Sequence, residues 1–187
     1  MKSSLRLIFT GAWLTISGLL IGIGAQTITG VSAIWDDDFT EWSIFTKEDT
    51  VNFGTLELIN MLGSPRLDWN FRVQDAEGRI RNIDRNNFSS WEVQGPNDMV
   101  TVRQLWSDDL REWRVTNNRI ALNWRSRYAN HYEEWVITSR DHGYFTMYTL
   151  HPEDPRDWVV VDTMSERIPL EMKMAFVFVT IFLTSPY

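Results

Sequence analysis

Beyond Pro65 apolar and polar residues alternate with a period of two, the pattern of half-buried β-strands. In "LDWNFRV" Trp69, Phe71 and Val73 alternate with Asn70 and Arg72, and in "RIALNWRSRY" Ile120, Leu122 and Trp124 alternate with Ala121, Asn123 and Arg125. Turn-forming clusters separate such runs: "DAEGR" (75–79), "GPND" (95–98), "SDD" (107–109), "NN" (117–118), "SRDHG" (139–143) and "HPEDP" (151–155). The Asn-Asn pair suits a tight hairpin because both residues tolerate a positive φ.

A longer regularity overlies this one. Trp69, Trp91, Trp113, Trp135 and Trp158 stand 22, 22, 22 and 23 residues apart, each with a β-favouring residue two places on. Half that interval is one strand plus one turn, so the spacing predicts tryptophans at a common height on alternate strands of an up-and-down antiparallel meander, either barrel or sandwich. Such a ring either fills the core or lines a cavity for a ligand.

Two stretches depart from the period of two. Phe53, Leu56, Ile59 and Leu62 recur every three residues and are followed by Gly63 and Pro65, which predicts a short amphipathic helix within a connector spanning 34–65. The segment "MAFVFVTIFL" (174–183) is apolar on both alternating faces and rich in Val, Thr, Ile and Phe. It reads as a strand buried on both sides, with Met174, Phe176, Phe178 and Phe182 as candidate partner contacts, or else as a segment dipping into a membrane.

The N-terminus has a different character. From Leu5 to Ala25 only Arg6 is charged, and about 21 residues of helix cross a hydrocarbon layer of roughly 30 Å. Val31-Ser32-Ala33 resembles a signal-peptidase site, but the apolar stretch exceeds the usual signal core of about 7 to 15 residues, so an uncut anchor over 1–33 is expected. Gly11, Thr15, Gly18, Gly22, Ala25 and Thr29 form a small-residue stripe along one face of such a helix, the kind of face that lets helices approach in lipid. Lys2 and Arg6 stand at the start of the span and Asp36, Asp37, Asp38 and Glu41 follow it. Basic residues stay cytoplasmic, which places the rest of the chain on the periplasmic side of a bacterial inner membrane. Trp35 and Trp42 then fall where indoles prefer the headgroup layer.

Charge and composition narrow the function classes. Without residues 1–33 the chain keeps 16 basic and 25 acidic residues, a net charge of −9, which argues against nucleic acid as a partner. The chain has no cysteine, which excludes disulfides, thiolate zinc sites and iron–sulfur clusters. His131, His142 and His151 are the only histidines; His131 and Glu134 would lie on opposite faces of a strand, and the other two flank turns. The carboxylate pairs Asp108/Asp109, Glu133/Glu134 and Asp154/Asp157 also fall at turns or on solvent-facing positions. No nucleophile elbow, P-loop or dinucleotide fingerprint is present.

The sequence therefore predicts a mainly β protein: a single transmembrane helix (1–33), a connector (34–65) and an extracytoplasmic antiparallel β domain (66–187). The expected role is a non-catalytic, single-pass accessory or scaffold subunit of a large bacterial membrane complex, photosynthetic or respiratory. Its partners would be other membrane subunits and lipid, and no cofactor is implied. The alternative is a membrane-tethered lipocalin-like barrel holding a lipid, quinone or carotenoid. A hydrolase built on the histidines and carboxylates ranks third.

Overall fold

The computed structural model describes residues 26–49, 51, 53–59, 68–84 and 87–186. Twelve strands follow one another: β1 Ile28–Ala33, β2 Glu41–Thr46, β3 Gly54–Leu58, β4 Asp68–Val73, β5 Ala76–Asn82, β6 Ser90–Gln94, β7 Met99–Trp106, β8 Asp109–Thr116, β9 Ala121–Ser126, β10 Glu134–Ser139, β11 Gly143–His151 and β12 Asp154–Asp162. Each pairs antiparallel with its sequence neighbours, and β1 closes on β12 with Gly30 opposite Val159. The meander predicted from the tryptophan period is thus a closed up-and-down barrel.

Alternation sets its polarity. On β4 Trp69, Phe71 and Val73 point inward, and on β9 Leu122 and Trp124 do the same, while Arg72, Arg103, Arg114 and Arg125 face out. A barrel that spans a membrane presents its apolar residues to lipid, the reverse of this arrangement. Asn118, in the hairpin between β8 and β9, has φ 67°, as the Asn-Asn turn requires.

After β12 the chain turns back and enters the bore as helix α1, Leu170–Thr184. Every residue from Leu170 to Phe182 is buried. The predicted strand over 174–183 is therefore a helix, and its four candidate contact residues touch their own barrel. Phe178 meets Trp69 and Trp91 at ring separations of 5.8 and 4.7 Å, and Phe176 lies 5.3 Å from Trp124. Met174 is buried as well, and Phe182 packs on Trp91 at 4.8 Å. A helix surrounded by strands is apolar all round, so no helical period marks it in the sequence. A twelve-stranded barrel leaves a bore wider than side chains alone fill, and a helix about 10 Å across occupies it.

The N-terminal third also differs from expectation. The barrel begins at Ile28, so the anchor's predicted end at 33 overlaps β1, and Thr29 is an exposed strand residue. The predicted helix over 53–62 is replaced, where described, by β3, whose cross-strand bonds to β2 and β4 override the three-residue interval. Gly11, Thr15, Gly18, Gly22 and Ala25 lie outside the described residues. Among the described residues no helix is long and apolar enough to cross a membrane.

Gln26 and the start of α1 meet at one end of the barrel, the proximal mouth; α1 ends at the other, the distal mouth. A polar lock seals the proximal one. Lys173 Nζ donates to Asp162 Oδ2 and to the Gln26 carbonyl, both at 2.8 Å, with the side chains of Lys173 and Asp162 only 2% and 1% exposed. Asp162 also accepts from the backbone N–H groups of Ile28 (3.1 Å) and Met164 (3.0 Å), tying β1, α1 and their connection together. In the first helical turn Glu171 accepts from the N–H groups of Asn97 and Asp98 at 3.0 and 3.3 Å. Gly95 is required beside it, since a Cβ there would overlap the Glu171 carboxylate.

Candidate functional site

The distal mouth is built from one local device repeated around the barrel. β2, β4, β6, β8, β10 and β12 carry Trp42, Trp69, Trp91, Trp113, Trp135 and Trp158, all buried. Five of these indoles donate to the carbonyl three residues earlier: Trp42 to Phe39 (2.9 Å), Trp91 to Phe88, Trp135 to Tyr132 and Trp158 to Pro155 (2.8 Å each), and Trp113 to Leu110 (2.7 Å). For Trp69 the corresponding residue, Arg66, lies outside the described residues. One residue further back, Asp38, Asn87, Asp109 and Asp154 each accept from the N–H two places on, at 2.8 to 3.1 Å, closing an Asx turn. Each clip thus fixes the path of the chain into its strand.

In four of these hairpins the residue three before the tryptophan contributes to an apolar collar, whereas Phe39 is buried. Phe88, Leu110 and Tyr132 are exposed, and Pro155 is half-buried. Between the collar and the end of α1 lie two depressions. One, of about 620 Å³, is lined by Phe88, Gln104, Leu110, Phe182 and Leu183; the other, of about 240 Å³, by Tyr132, Glu133, Pro155, Trp158 and Leu183. α1 ends here without a basic residue in its last turn, and the hydroxyls of Thr184 and Ser185 donate to the carbonyls of Thr180 and Ile181 at 2.7 and 2.6 Å.

Outside the collar stand two exposed tryptophans, Trp35 at 54% and Trp106 at 61%. They occupy equivalent places in "WDDDFTEW" (35–42) and "WSDDLREW" (106–113). Each donates its Nε1–H at 3.0 Å to a carboxylate six residues ahead, Trp35 to Glu41 and Trp106 to Glu112. β2 and β8 are six strands apart in a closed ring of twelve, so the two hairpins lie across the mouth from each other.

Among the described residues the charge of this end is one-sided; Arg66 and Arg85, in the connections before β4 and β6, lie outside them. In its described interstrand connections stand seven carboxylates, at Asp36, Asp37, Asp38, Asp84, Asp108, Glu133 and Glu153, against the single arginine Arg127. The described connections of the proximal mouth are closer to balance, with four basic residues against six acidic. Hydrogen bonds from the Arg111 and Arg156 guanidiniums hold the Asp109 and Asp154 carboxyls at about 2, so both stay ionised far into acid.

The sequence-derived candidates are placed unevenly. Trp35 stands on the rim, but Trp42 is fully buried in the core and is no interfacial anchor. The tryptophan ring fills the bore together with α1, which takes the axis where a lipocalin-like barrel holds its ligand. His131 Nδ1 lies 3.6 Å from Glu133 Oε2, and among the described residues no group of three or more His, Asp or Glu side chains is arranged to hold a metal. The carboxylates pair locally: Asp109 with Arg111 at 2.5 Å, Glu134 with Arg127 at 2.6 Å, Asp154 with Arg156 at 2.6 Å, and Asp157 with the Ser32 hydroxyl. A groove of about 620 Å³ crosses the outer wall over β3 to β6, where Glu57, Glu77, Arg72 and Arg79 mix both signs.

The device at the distal mouth escapes a reading that runs forward from each tryptophan into its strand. Read backward, Asp38-Phe39-Thr40-Glu41-Trp42, Asp109-Leu110-Arg111-Glu112-Trp113 and Asp154-Pro155-Arg156-Asp157-Trp158 share one pattern of Asp, apolar residue, variable residue, acid and Trp. Fold and site define a helix-filled antiparallel barrel with an acidic, aromatic mouth. Compared with protein-family models, curated proteins and solved structures, the chain matches none.

Proposed function

We propose that the protein is a membrane-tethered, non-catalytic accessory subunit that engages another subunit of a membrane complex through its distal mouth. The tether is the apolar stretch from Leu5 to Ala25, a reading of the sequence alone. The observation that carries the rest is the filled bore. With α1 on the axis, binding falls to the surface, and most of the large exposed apolar side chains of the barrel gather at the mouth opposite Gln26. Ile34, Trp35, Ile83, Phe88, Trp106 and Leu110 are among them, and exposed apolar groups concentrated in one region are a usual mark of an interaction site. The alternative of a lipophilic ligand inside the barrel has no comparable support.

Native sizing of a mild-detergent extract, with mass spectrometry of whatever comigrates, tests this. The chain should run in a particle much heavier than its own 22.0 kDa together with other membrane proteins. A chain that runs alone at low detergent and physiological salt refutes the reading.

A further inference from the structure

We infer that the distal mouth docks a basic amphipathic polypeptide segment, with lysine or arginine side chains on Trp35 and Trp106 and apolar side chains in the two depressions beside α1. This rests on the accessory-subunit reading and names the chemistry of the partner.

Three features converge. Trp35 and Trp106 are more than half exposed, yet neither indole is free to turn, because Glu41 and Glu112 hold their N–H groups at 3.0 Å. A large ring fixed in water contributes little to folding, but it offers an open face at low entropic cost to a ligand. The faces of indoles attract cations, and the carboxylates of Asp37 and Asp108 stand two residues from these rings.

The second feature is the excess of carboxylates, seven against Arg127 among the described residues and seven against three when Arg66 and Arg85 of the same connections are counted from the sequence. It disfavours phosphate, anionic lipid and a second copy of this acidic chain, and it favours a cation. The third is the apolar lining. Phe88, Leu110, Phe182 and Leu183 on one side and Tyr132, Pro155 and Trp158 on the other offer hydrophobic contact that a bare metal ion or a polyamine would leave unused. A polypeptide with basic and apolar residues on one face answers all three features.

The test is titration of the full-length chain, in a neutral maltoside detergent with empty micelles as blank, with a synthetic helical peptide of leucine and lysine. The same peptide with glutamate in place of lysine serves as control, and calorimetry reads both. The lysine peptide should bind, and its affinity should fall about tenfold or more when salt rises from about 0.05 to 0.5 M. Trp35→Ala with Trp106→Ala should weaken it about tenfold, the scale of two cation–π contacts. Asp37→Asn with Asp108→Asn should flatten the salt dependence, and Met99→Ala at the proximal mouth should change nothing. Near-UV dichroism verifies folding of each variant.

Equal binding of the glutamate peptide, or lysine-peptide binding indifferent to the tryptophan and aspartate pairs, overturns the inference. So does binding of phosphatidylcholine vesicles through the same rim without binding of the peptide, or self-association that buries the rim. A heavy native particle combined with no affinity for the lysine peptide removes this inference and leaves the accessory-subunit reading standing. A chain that runs alone but binds the peptide through the rim does the opposite.

Discussion

Asp109 shows how much one hairpin depends on a carboxylate. Its Oδ1 accepts from the Arg111 backbone N–H at 2.9 Å and from the same residue's Nε at 2.7 Å, and these bonds hold the carboxyl at about 2 against a usual 3.8. A carboxyl depressed in the folded state lends stability that is fully present above its unfolded value and is lost as pH falls toward the folded one. The turn should therefore hold through mild acid and loosen only between about pH 4 and pH 2. Replacing Arg111 with glutamine should bring Asp109 back toward 3.8, read from the pH dependence of its carboxyl carbon in NMR. At this scale the sequence was partly legible. The tryptophans announce themselves by spacing, whereas the Asx turns and carbonyl acceptors behind them lie in stretches that read as ordinary polar loops. Trp42 reads as an interfacial residue because it follows the apolar N-terminal stretch, whereas its burial and its bond to the Phe39 carbonyl belong to the start of β2.

Among the elements, α1 depends on a buried charge. Lys173 and Asp162 are an ion pair out of water, and removing one partner strands the other. Lys173→Met should lower unfolding stability by about 3 to 5 kcal/mol in urea denaturation. Adding Asp162→Asn should recover part of that loss, because the amide oxygen still accepts from Ile28 and no unpaired charge remains. A double variant whose loss equals the sum of the two single losses would show that the pair is not coupled. The helix itself was illegible for a physical reason. Periodicity reports a difference between two sides of an element, and α1 has strands on every side, so Val, Thr, Ile and Phe read as strand formers. The first three strands are hidden differently: each has only five or six residues, and the apolar positions of β1 and β3 fall within the predicted membrane helix and the predicted amphipathic helix.

The molecule as a whole joins its ends early and late in sequence. Gly30 pairs with Val159, and the core is complete only when α1 enters, so neither seam nor plug can form from a part of the barrel. Unfolding in urea should therefore be a single transition, with tryptophan fluorescence and far-UV dichroism coinciding. Refolding should be slow for a domain of this size, in the range of milliseconds to seconds. A separate early loss of helix signal would show that the plug leaves a standing barrel. The meander was readable at this scale because a hairpin period survives any error about a single strand. Closure was not, since nothing in β1 alone says that it meets β12.

The plug also bears on how many strands there can be. Hairpins built on a repeated unit can be added or dropped without disturbing their neighbours, and a meander by itself has no reason to stop at a given circumference. Here α1 acts as a gauge. One hairpin fewer would leave no room for Phe176 and Phe178 beside the tryptophans, and one more would open gaps that close-packed interiors do not tolerate. The segment that contributes no strand is thus the one that sets the size of the sheet. Aromatic residues on α1 and hairpins in the wall can change only together.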